Sequence, residues 1–211
     1  MNNDILAYAS ALRLSRSDIK TLKITDAYSL HKQVYGLFDD IRTDADKAKS
    51  ESSGILWADK GGDFHTRQIL MLSNRKPHQT PQFGEVESRT IKPDFVEHEH
   101  YGFEITLNPS KRNKQTGKIE AIRKREDISL WAIERAQKGW GFEIHPDTLQ
   151  VQINPVLQFN KNGKTVTHSS AHLKGELRVT DREQFIQSFL QGIGRGKAFG
   201  FGLLQIVPLQ D

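Results

Sequence analysis

The chain of 211 residues contains no cysteine, and this absence excludes several kinds of chemistry. Without thiols there is no disulfide, no thiolate ligand for zinc and no cysteine nucleophile. No apolar run approaches the roughly 20 residues that a membrane-spanning helix needs, and the N-terminus MNNDILAYAS lacks the basic segment of a secretory signal peptide. Together with a hydrophobic fraction of 36% and a mean hydropathy of −0.59, this predicts a cytoplasmic protein of one large or two small domains.

The common nucleotide-binding signatures are also missing, although residues 192–208 form the glycine-rich loop GIGRGKAFGFGLLQIVP. A P-loop needs a glycine five positions before Gly196 and a Ser or Thr after Lys197, where this chain has Gln191 and Ala198. The dinucleotide fingerprint needs a strand before its glycines and a helix after them, and here the order is reversed. We therefore expect no nucleotide cofactor, and the sequence implies no other cofactor.

The glycine-rich loop has two interpretations. Glycine lacks a Cβ and adopts positive φ readily, so a ligand can approach the backbone closely, and Arg195 and Lys197 would favour a phosphate. In the other interpretation, the glycines only make a tight return from a helix to a strand against a core. The residue types alone leave these two interpretations equal.

Positive charge is concentrated in two places along the chain. The net charge is only +4 and the isoelectric point about 9.2, but residues 111–125 contain seven Lys or Arg residues and a single acid, Glu120. Clustered cations are typical of proteins that bind a polyanion, since each neutralised phosphate releases counterions. For a single cluster, the alternative interpretation is a solvated charged face. The two additional cations in the glycine-rich loop favour a nucleic acid partner.

Hydrophobic periodicity predicts two consecutive α+β units on either side of Pro93. In the first unit a strand, a helix and three strands are expected at residues 5–14, 25–38, 55–58, 68–73 and 86–91. In the second unit strands are expected at 101–107, 148–159, 164–179 and 203–207, with a hairpin turn at Asn162-Gly163. Helices are expected at 126–138 and from a capping box at Thr180 to residue 190. This order predicts tandem ferredoxin-like (RRM-like) domains, residues 1–94 and 95–211, each an antiparallel sheet with helices on one face.

One of the eight histidines, His31, has a neighbour that suggests catalysis. It follows Tyr28 by three residues on the predicted helix, so the two side chains share a face. A histidine beside an apolar stripe is more often half-buried than catalytic, but an imidazole with a pKa near ~6.5 can accept a proton at neutral pH. The reaction that fits a basic chain without cysteine is RNA cleavage by the substrate's own 2′-hydroxyl.

A second candidate site is the alternating segment Glu97-His98-Glu99-His100, where both histidines would share one strand face. Such a pair could hold a metal ion, but no third ligand is evident from the sequence. A solvated strand edge is the simpler interpretation, and we expect no metal site.

Three segments together resemble the CasE family of CRISPR RNA-processing endoribonucleases. The ending GIGRGKAFGFGLLQIVPL is similar to the glycine-rich signature of that family, and the segments DAYSLH at 26–31 and ITLNPSKRNKQTGK at 105–118 agree with it. The ending departs in one place, since Arg195-Gly196-Lys197 stands where the family often has Pro-Ala-Lys or Arg-Ala-Lys. Both cations are kept.

The resemblance implies a fold, an activity and partners. Family members have two ferredoxin-like domains, cut the CRISPR repeat stem-loop on the 3′ side of its stem and commonly stay bound to the mature guide RNA within Cascade. By position, His31 would be the general acid/base and Tyr28 would position the nucleophile or the scissile phosphate. Lys32 is expected to point away from His31, and no catalytic lysine is assigned. The residues expected to bind RNA are Lys111, Arg112, Lys114, Lys118, Arg123, Lys124, Lys161, Lys164, Gly192, Gly194, Arg195, Gly196 and Lys197.

Two alternatives stay open at this stage. The first is a subunit of the same fold that caps the guide RNA hairpin without cleaving it. The second is a ferredoxin-like protein that binds a metal or a small molecule through His98 and His100. Neither requires a membrane.

Overall fold

The computed structural model describes residues 4–43, 45, 52–63, 65–78, 80–161 and 163–210; the side chains of Lys161 and Lys164 lie outside this description. Two antiparallel sheets organise these residues, one within residues 7–91 and the other within residues 100–208. The proposed domain boundary between residues 94 and 95 falls in the connection between the two sheets.

The first sheet is covered on one face by helix packing. Its strands are β1 (Ala7–Ser15), β2 (Ile55–Gly62), β3 (Thr66–Ser73) and β4 (Glu85–Ile91), in the order β2-β3-β1-β4. Helices α1 (Arg16–Thr21) and α2 (Ala27–Tyr35) follow β1. Leu30 and Val34 of α2 are buried against a core that includes Trp57 of β2 and Ile69 of β3.

The second sheet has five strands, and a separate two-stranded hairpin lies within its span of the sequence. The hairpin consists of β6 (Ser110–Arg112) and β7 (Ile119–Ala121), which pair with each other. The strands of the sheet are β5 (His100–Leu107), β8 (Phe142–Ile144), β9 (Gln150–Lys161), β10 (Lys164–Val179) and β11 (Gln205–Pro208), in the order β11-β5-β10-β8, with β9 also paired to β10. Helices α3 (Arg125–Gly139) and α4 (Arg182–Gln191) complete the unit.

Both sheets have the ferredoxin-like strand order, which confirms the predicted fold class. In each unit the first and third strands are central and the second and fourth are at the edges; β8 and β9 together take the place of the second strand in the second unit. The first unit differs from a complete ferredoxin-like unit, because residues 74–78 and 80–84 before β4 form no helix.

Some local predictions were wrong or incomplete. The N-cap of α4 is Asp181, whose Oδ1 accepts from the backbone N–H of Gln184 at 3.0 Å, and not Thr180. Helix α1 was not predicted, and the basic segment 111–125, to which the sequence assigned no strand, contains the β6–β7 hairpin. The turn expected at Asn162-Gly163 includes Asn162, which lies outside the described residues.

One hydrophobic core extends across both units. Leu56 of β2 and Leu72 of β3 belong to the same buried cluster as Leu107 of β5, Phe189 of α4 and Ile193 of the glycine-rich loop. The two sheets are therefore packed together, so that α2 of the first unit lies beside the loop that precedes β11. In the described part of the chain no helix is both long and apolar enough to cross a membrane.

Candidate active site

Helix α2 places Tyr28 and His31 side by side. Asp26 begins the helix, because its Oδ1 accepts from the backbone N–H of Ser29 at 2.7 Å in a reciprocal capping box. Leu30 and Val34 are buried, which leaves Tyr28 and His31 half-buried at the edge of the apolar face. Their rings are nearly parallel, at 12°, with centroids 6.2 Å apart. The predicted pairing on one helix face is therefore present.

Two phenylalanines from the second unit complete a closed set of ring contacts. Phe159, near the end of β9, stands 6.2 Å from Tyr28, and Phe199 of the glycine-rich loop stands 5.8 Å from His31. The two phenyl rings are 4.4 Å apart. We call Tyr28, His31, Phe159 and Phe199 the aromatic cluster; it joins α2 to two separate segments of the second unit.

The glycine-rich loop contains a single 3-10 turn, Lys197–Phe199, between two glycines in the left-handed region. At Gly200, with φ 86°, a Cβ atom would lie 2.9 Å from Cζ3 of Trp57, so a larger residue would crowd the indole ring of β2. Gly192, Gly194 and Gly196 also have positive φ. Gly192 packs on Leu56 and Gly196 on Phe201, whereas Gly194 is exposed. Close packing accounts for several of these glycines, as the second interpretation of the loop expects.

The two cations of the loop have different surroundings. Lys197 is half-buried, its Nζ donates to the carbonyl oxygen of Gln191 at 2.8 Å, and burial lowers the pKa of its ammonium group. Arg195 is exposed and makes no ion pair within the described ranges. Arg195 is therefore the cation of this loop that is available to a phosphate, while Lys197 stabilises the end of α4.

The cations predicted in the basic segment lie on the β6–β7 hairpin and directly after it. Arg112 donates to the carbonyl oxygen of Gly117 at 2.8 Å, which closes the turn of the hairpin. In the part of the chain that the structure describes, none of this group has an anionic partner, and all are exposed: Lys111, Arg112, Lys114, Lys118, Arg123 and Lys124. An unpaired basic surface of this kind is suited to a polyanion.

The lysines of the β9–β10 hairpin are placed by their backbone alone. Lys161 and Lys164 pair with each other at the end of the hairpin, and β9 leads from there back to Phe159. The hairpin is therefore continuous with the aromatic cluster.

His168 of β10 was not singled out in the sequence, yet it contacts the same cluster. Its ring centroid lies 5.9 Å from Phe199 and 6.2 Å from Phe159, and Asn108 bonds its Nδ1 at 2.9 Å. Its Nε2 is buried without a hydrogen-bond partner among the described residues. Burial, and then the charge of Arg195, lower the pKa of His168 and so favour its neutral imidazole.

The second candidate site does not assemble into a ligand set. The His98 backbone N–H donates to the Tyr101 hydroxyl at 3.0 Å, and the His98 carbonyl accepts from Arg182. Within the described ranges no group of three or more His, Asp or Glu residues is placed to hold a metal ion.

Comparison with known proteins decides the family. A family model described as CRISPR associated protein matches residues 7–208. The chain belongs to the CasE family of CRISPR-associated proteins. It is 28% identical over 116 residues to the CRISPR-associated endoribonuclease Cse3 of Thermus thermophilus, an alignment covering 50% of this chain and about half, 54%, of that relative. It is 22% identical over 196 residues to the Cascade subunit CasE of Escherichia coli K12, covering 87% of this chain and 93% of that relative.

Solved structures of CasE-family proteins share the fold. Cse3 bound to a 19-nucleotide RNA superposes with a TM-score of 0.79 at 20% identity, over 96% of this chain and 99% of that one. Cas6e from Escherichia coli K-12 gives a TM-score of 0.70 at 19% identity, over 96% and 100%. These likenesses show that the tandem ferredoxin-like architecture is that of the family.

For this CasE-family chain, sequence reasoning found the helix pair but missed its surroundings. The aromatic residues that were missed lie within apolar or glycine-rich segments, where such a residue indicates a core and not a site. They are Trp57, Phe159 and Phe199. Lys32 was expected to point away from His31, and a contact with Tyr28 was not predicted. The Lys32 Nζ lies 4.6 Å from the centroid of the Tyr28 ring. The i, i+4 spacing of Tyr28 and Lys32 could have suggested that contact.

Proposed function

We propose that this CasE-family chain is a metal-independent endoribonuclease that cleaves the stem-loop of CRISPR repeat transcripts. The observation that carries the proposal is the position of His31. Its imidazole lies against Phe199 of the glycine-rich loop and beside Tyr28, which contacts Phe159 of the β9–β10 hairpin. A proton-transfer group thus lies between two segments expected to bind RNA.

In the proposed reaction His31 acts on the substrate's own 2′-hydroxyl. The imidazole accepts the hydroxyl proton, the 2′-oxygen forms a bond to the adjacent phosphorus, and the bond from phosphorus to the 5′-oxygen breaks. The proton passes to the departing 5′-oxygen, and the upstream product ends in a 2′,3′-cyclic phosphate. Tyr28, one turn before His31, positions the nucleophile or the scissile phosphate.

Cations of the second unit bind and neutralise the RNA in this proposal. Arg195 is exposed, four residues before Phe199 of the aromatic cluster, and is suited to the charge that develops on the phosphorane. The β6–β7 hairpin supplies a separate exposed basic surface, and Asn108, at its base, bonds His168 beside the cluster. The stem of the RNA would contact this surface and the β9–β10 hairpin carrying Lys161 and Lys164.

The names of similar proteins support this assignment. One relative is described as an endoribonuclease and another as a Cascade subunit, and similar folds were solved with RNA and within CRISPR RNA-guided surveillance complexes. We infer that the chain, after cleavage, stays bound to the mature guide RNA as a subunit of a Cascade complex in the cytoplasm.

The test is incubation of the protein with RNA of its own CRISPR repeat in EDTA, followed by gel analysis. We expect cleavage by the wild type. The His31→Ala variant should lose roughly 100-fold or more in rate, the scale of general acid–base catalysis, yet keep its RNA affinity. His145→Ala, which removes an exposed histidine from the second unit, is the control and should cleave as the wild type does.

Other outcomes separate the alternatives. RNA binding by the wild type without cleavage, with or without added divalent ions, would support the non-catalytic guide-capping subunit. Cleavage that EDTA abolishes would contradict metal independence. A His31→Ala variant that cuts at the wild-type rate would remove His31 from the mechanism.

A further inference from the structure

Besides that of Tyr28, two aromatic rings from different parts of the chain contact the imidazole of His31. Tyr35, on the next turn of α2, stands 4.1 Å away, and the Ser53 hydroxyl bonds the Tyr35 hydroxyl at 3.0 Å. Phe199 of the glycine-rich loop stands 5.8 Å away. Tyr35 moves with α2, so it cannot set the position of His31 relative to the second unit. Phe199 can.

Phe199 is itself held through its chain neighbours and through its ring. The indole Nε1 of Trp57 donates to the carbonyl oxygen of Ala198, the residue before it, at 3.2 Å. Gly200, the residue after it, packs on the same indole ring. The Phe199 ring contacts Phe159 at 4.4 Å and His168 at 5.9 Å. The backbone on both sides of Phe199 is thus held against β2 of the first sheet, and its ring packs against β9 and β10 of the second.

We propose that Phe199 is a positioning residue for His31, and that the glycine-rich loop serves the reaction by holding this ring as well as by presenting Arg195 to the RNA. The inference rests on the proposed function. Arg195, four residues before Phe199 on the same loop, belongs to the second unit, whereas His31 belongs to the first. Phe199 fixes the spacing between the group that transfers the proton and the segment that holds the phosphate.

A small change in that spacing has a large effect on rate. General acid–base catalysis needs the imidazole within hydrogen-bond reach of the 2′-hydroxyl, and a misplacement of about 1 Å can reduce the rate by about 100-fold. Leucine in place of Phe199 would leave the loop backbone and Arg195 unchanged but remove the aromatic ring that contacts His31. The predicted defect is therefore in the rate of cleavage and not in RNA binding.

The experiment compares Phe199→Leu with Phe199→Tyr and with the control Phe83→Leu. Phe83 is a half-buried phenylalanine outside the aromatic cluster; it lines a cavity with Leu12, Leu14 and the C-terminal end of α2. Single-turnover cleavage and the Kd for the repeat RNA are measured for each. We expect Phe199→Leu to lose roughly 10- to 100-fold in rate with an unchanged Kd, while Phe199→Tyr and Phe83→Leu stay within about threefold of the wild type.

Two further measurements separate positioning from a general structural role. In the His31→Ala background, Phe199→Leu should cause no additional loss of rate, because its effect passes through the imidazole. In the free protein, Phe199→Leu should shift the imidazole NMR signals of His31, and Phe83→Leu should not.

Failure of the inference and failure of the proposed function have different signatures. If the wild type cleaves and Phe199→Leu cleaves equally well, or if the two losses add in the double variant, the positioning role is wrong. If the wild type does not cleave, the proposed function fails. In that case the NMR signals of His31 still test its contact with Phe199, because they do not depend on cleavage. Signals that Phe199→Leu leaves unchanged would contradict the contact.

Discussion

The indole Nε1 of Trp57 donates a hydrogen bond to the carbonyl oxygen of Ala198 at 3.2 Å, and this bond ties the first sheet to the glycine-rich loop. Trp57 is 1% exposed and belongs to the core on which α2 packs. The bond therefore fixes the 3-10 turn carrying Phe199 relative to the helix carrying His31. The candidate site depends on this contact between the two units and is absent from either unit alone.

The packing of Gly200 on Trp57 predicts a loss of stability for Gly200→Ala. The left-handed backbone at φ 86° costs an L-residue roughly 1–2 kcal/mol, and the methyl group would also crowd the indole ring. We expect the free energy of unfolding to fall by about 2–3 kcal/mol in chemical denaturation. Gly61→Ala, with φ 70° and no atom within 4 Å of the added methyl, should lose the backbone part alone. Equal losses of unfolding free energy in the two variants would show that the Trp57 ring moves aside without a measurable energetic cost.

The capping box at Asp26 predicts a variant that affects both stability and cleavage. Asp26→Ala removes the acceptor for the Ser29 N–H and should lower the free energy of unfolding by about 1 kcal/mol. Fraying of the first turn of α2 would also displace Tyr28, so the single-turnover rate should fall. Asp181→Ala removes the corresponding cap of α4 and is the matched control. We expect a similar loss of stability there without a loss of rate at saturating RNA; a loss of rate in both would contradict a local effect.

The exposed cations of the β6–β7 hairpin predict a change in salt dependence. The triple variant Lys111→Gln, Lys114→Gln, Lys118→Gln should bind the repeat RNA more weakly, because fewer counterions are released. The slope of log Kd against log salt should fall by about one for each lysine that binds a phosphate in the wild type. Lys20, Lys23 and Lys92 are exposed lysines of the first unit, and their triple Gln variant is the control of equal charge. An unchanged slope in the hairpin variant would exclude that surface as an RNA-binding surface.

The environment of His168 predicts a pH dependence of stability. Burial and the charge of Arg195 lower the pKa of His168 in the folded state, so below the unfolded value of about 6.5 the unfolded chain binds the additional proton. This contribution to stability is complete above about pH 6.5 and decreases as the pH falls toward the folded pKa. His168→Gln should therefore flatten the decline of the unfolding free energy over this range, with His145→Gln as a control for losing a histidine.

The effect of Arg195 on the pKa of His168 can be measured directly. Arg195→Gln removes the like charge, so the pKa of His168 followed by NMR should rise toward its ordinary value. An unchanged pKa would place the guanidinium away from His168 in solution.

The elements that were predicted from sequence are those with a strong local pattern. Strand β5 alternates buried and half-buried residues along its whole length, and α2 buries Leu30 and Val34 of an apolar stripe at helical spacing. The elements that were missed are short. Helix α1 has six residues, none of them buried. Strands β6, β7 and β8 have three residues each, fewer than the roughly four to eight residues over which alternation predicts a strand.

By itself the sequence determined the absence of thiol chemistry, the family, the tandem fold class and the pairing of Tyr28 with His31. These features follow from composition, from motifs or from spacings of a few residues. The tertiary structure alone decided that Phe159 and Phe199 contact that pair, with His168 packed on both phenyl rings and Trp57 bonded to Ala198. It also decided that Lys197 stabilises a helix end while Arg195 stays exposed. The physical reason is that a periodic pattern shows which face of an element is apolar but not which other element that face will pack against. That contact forms only when the two sheets pack together.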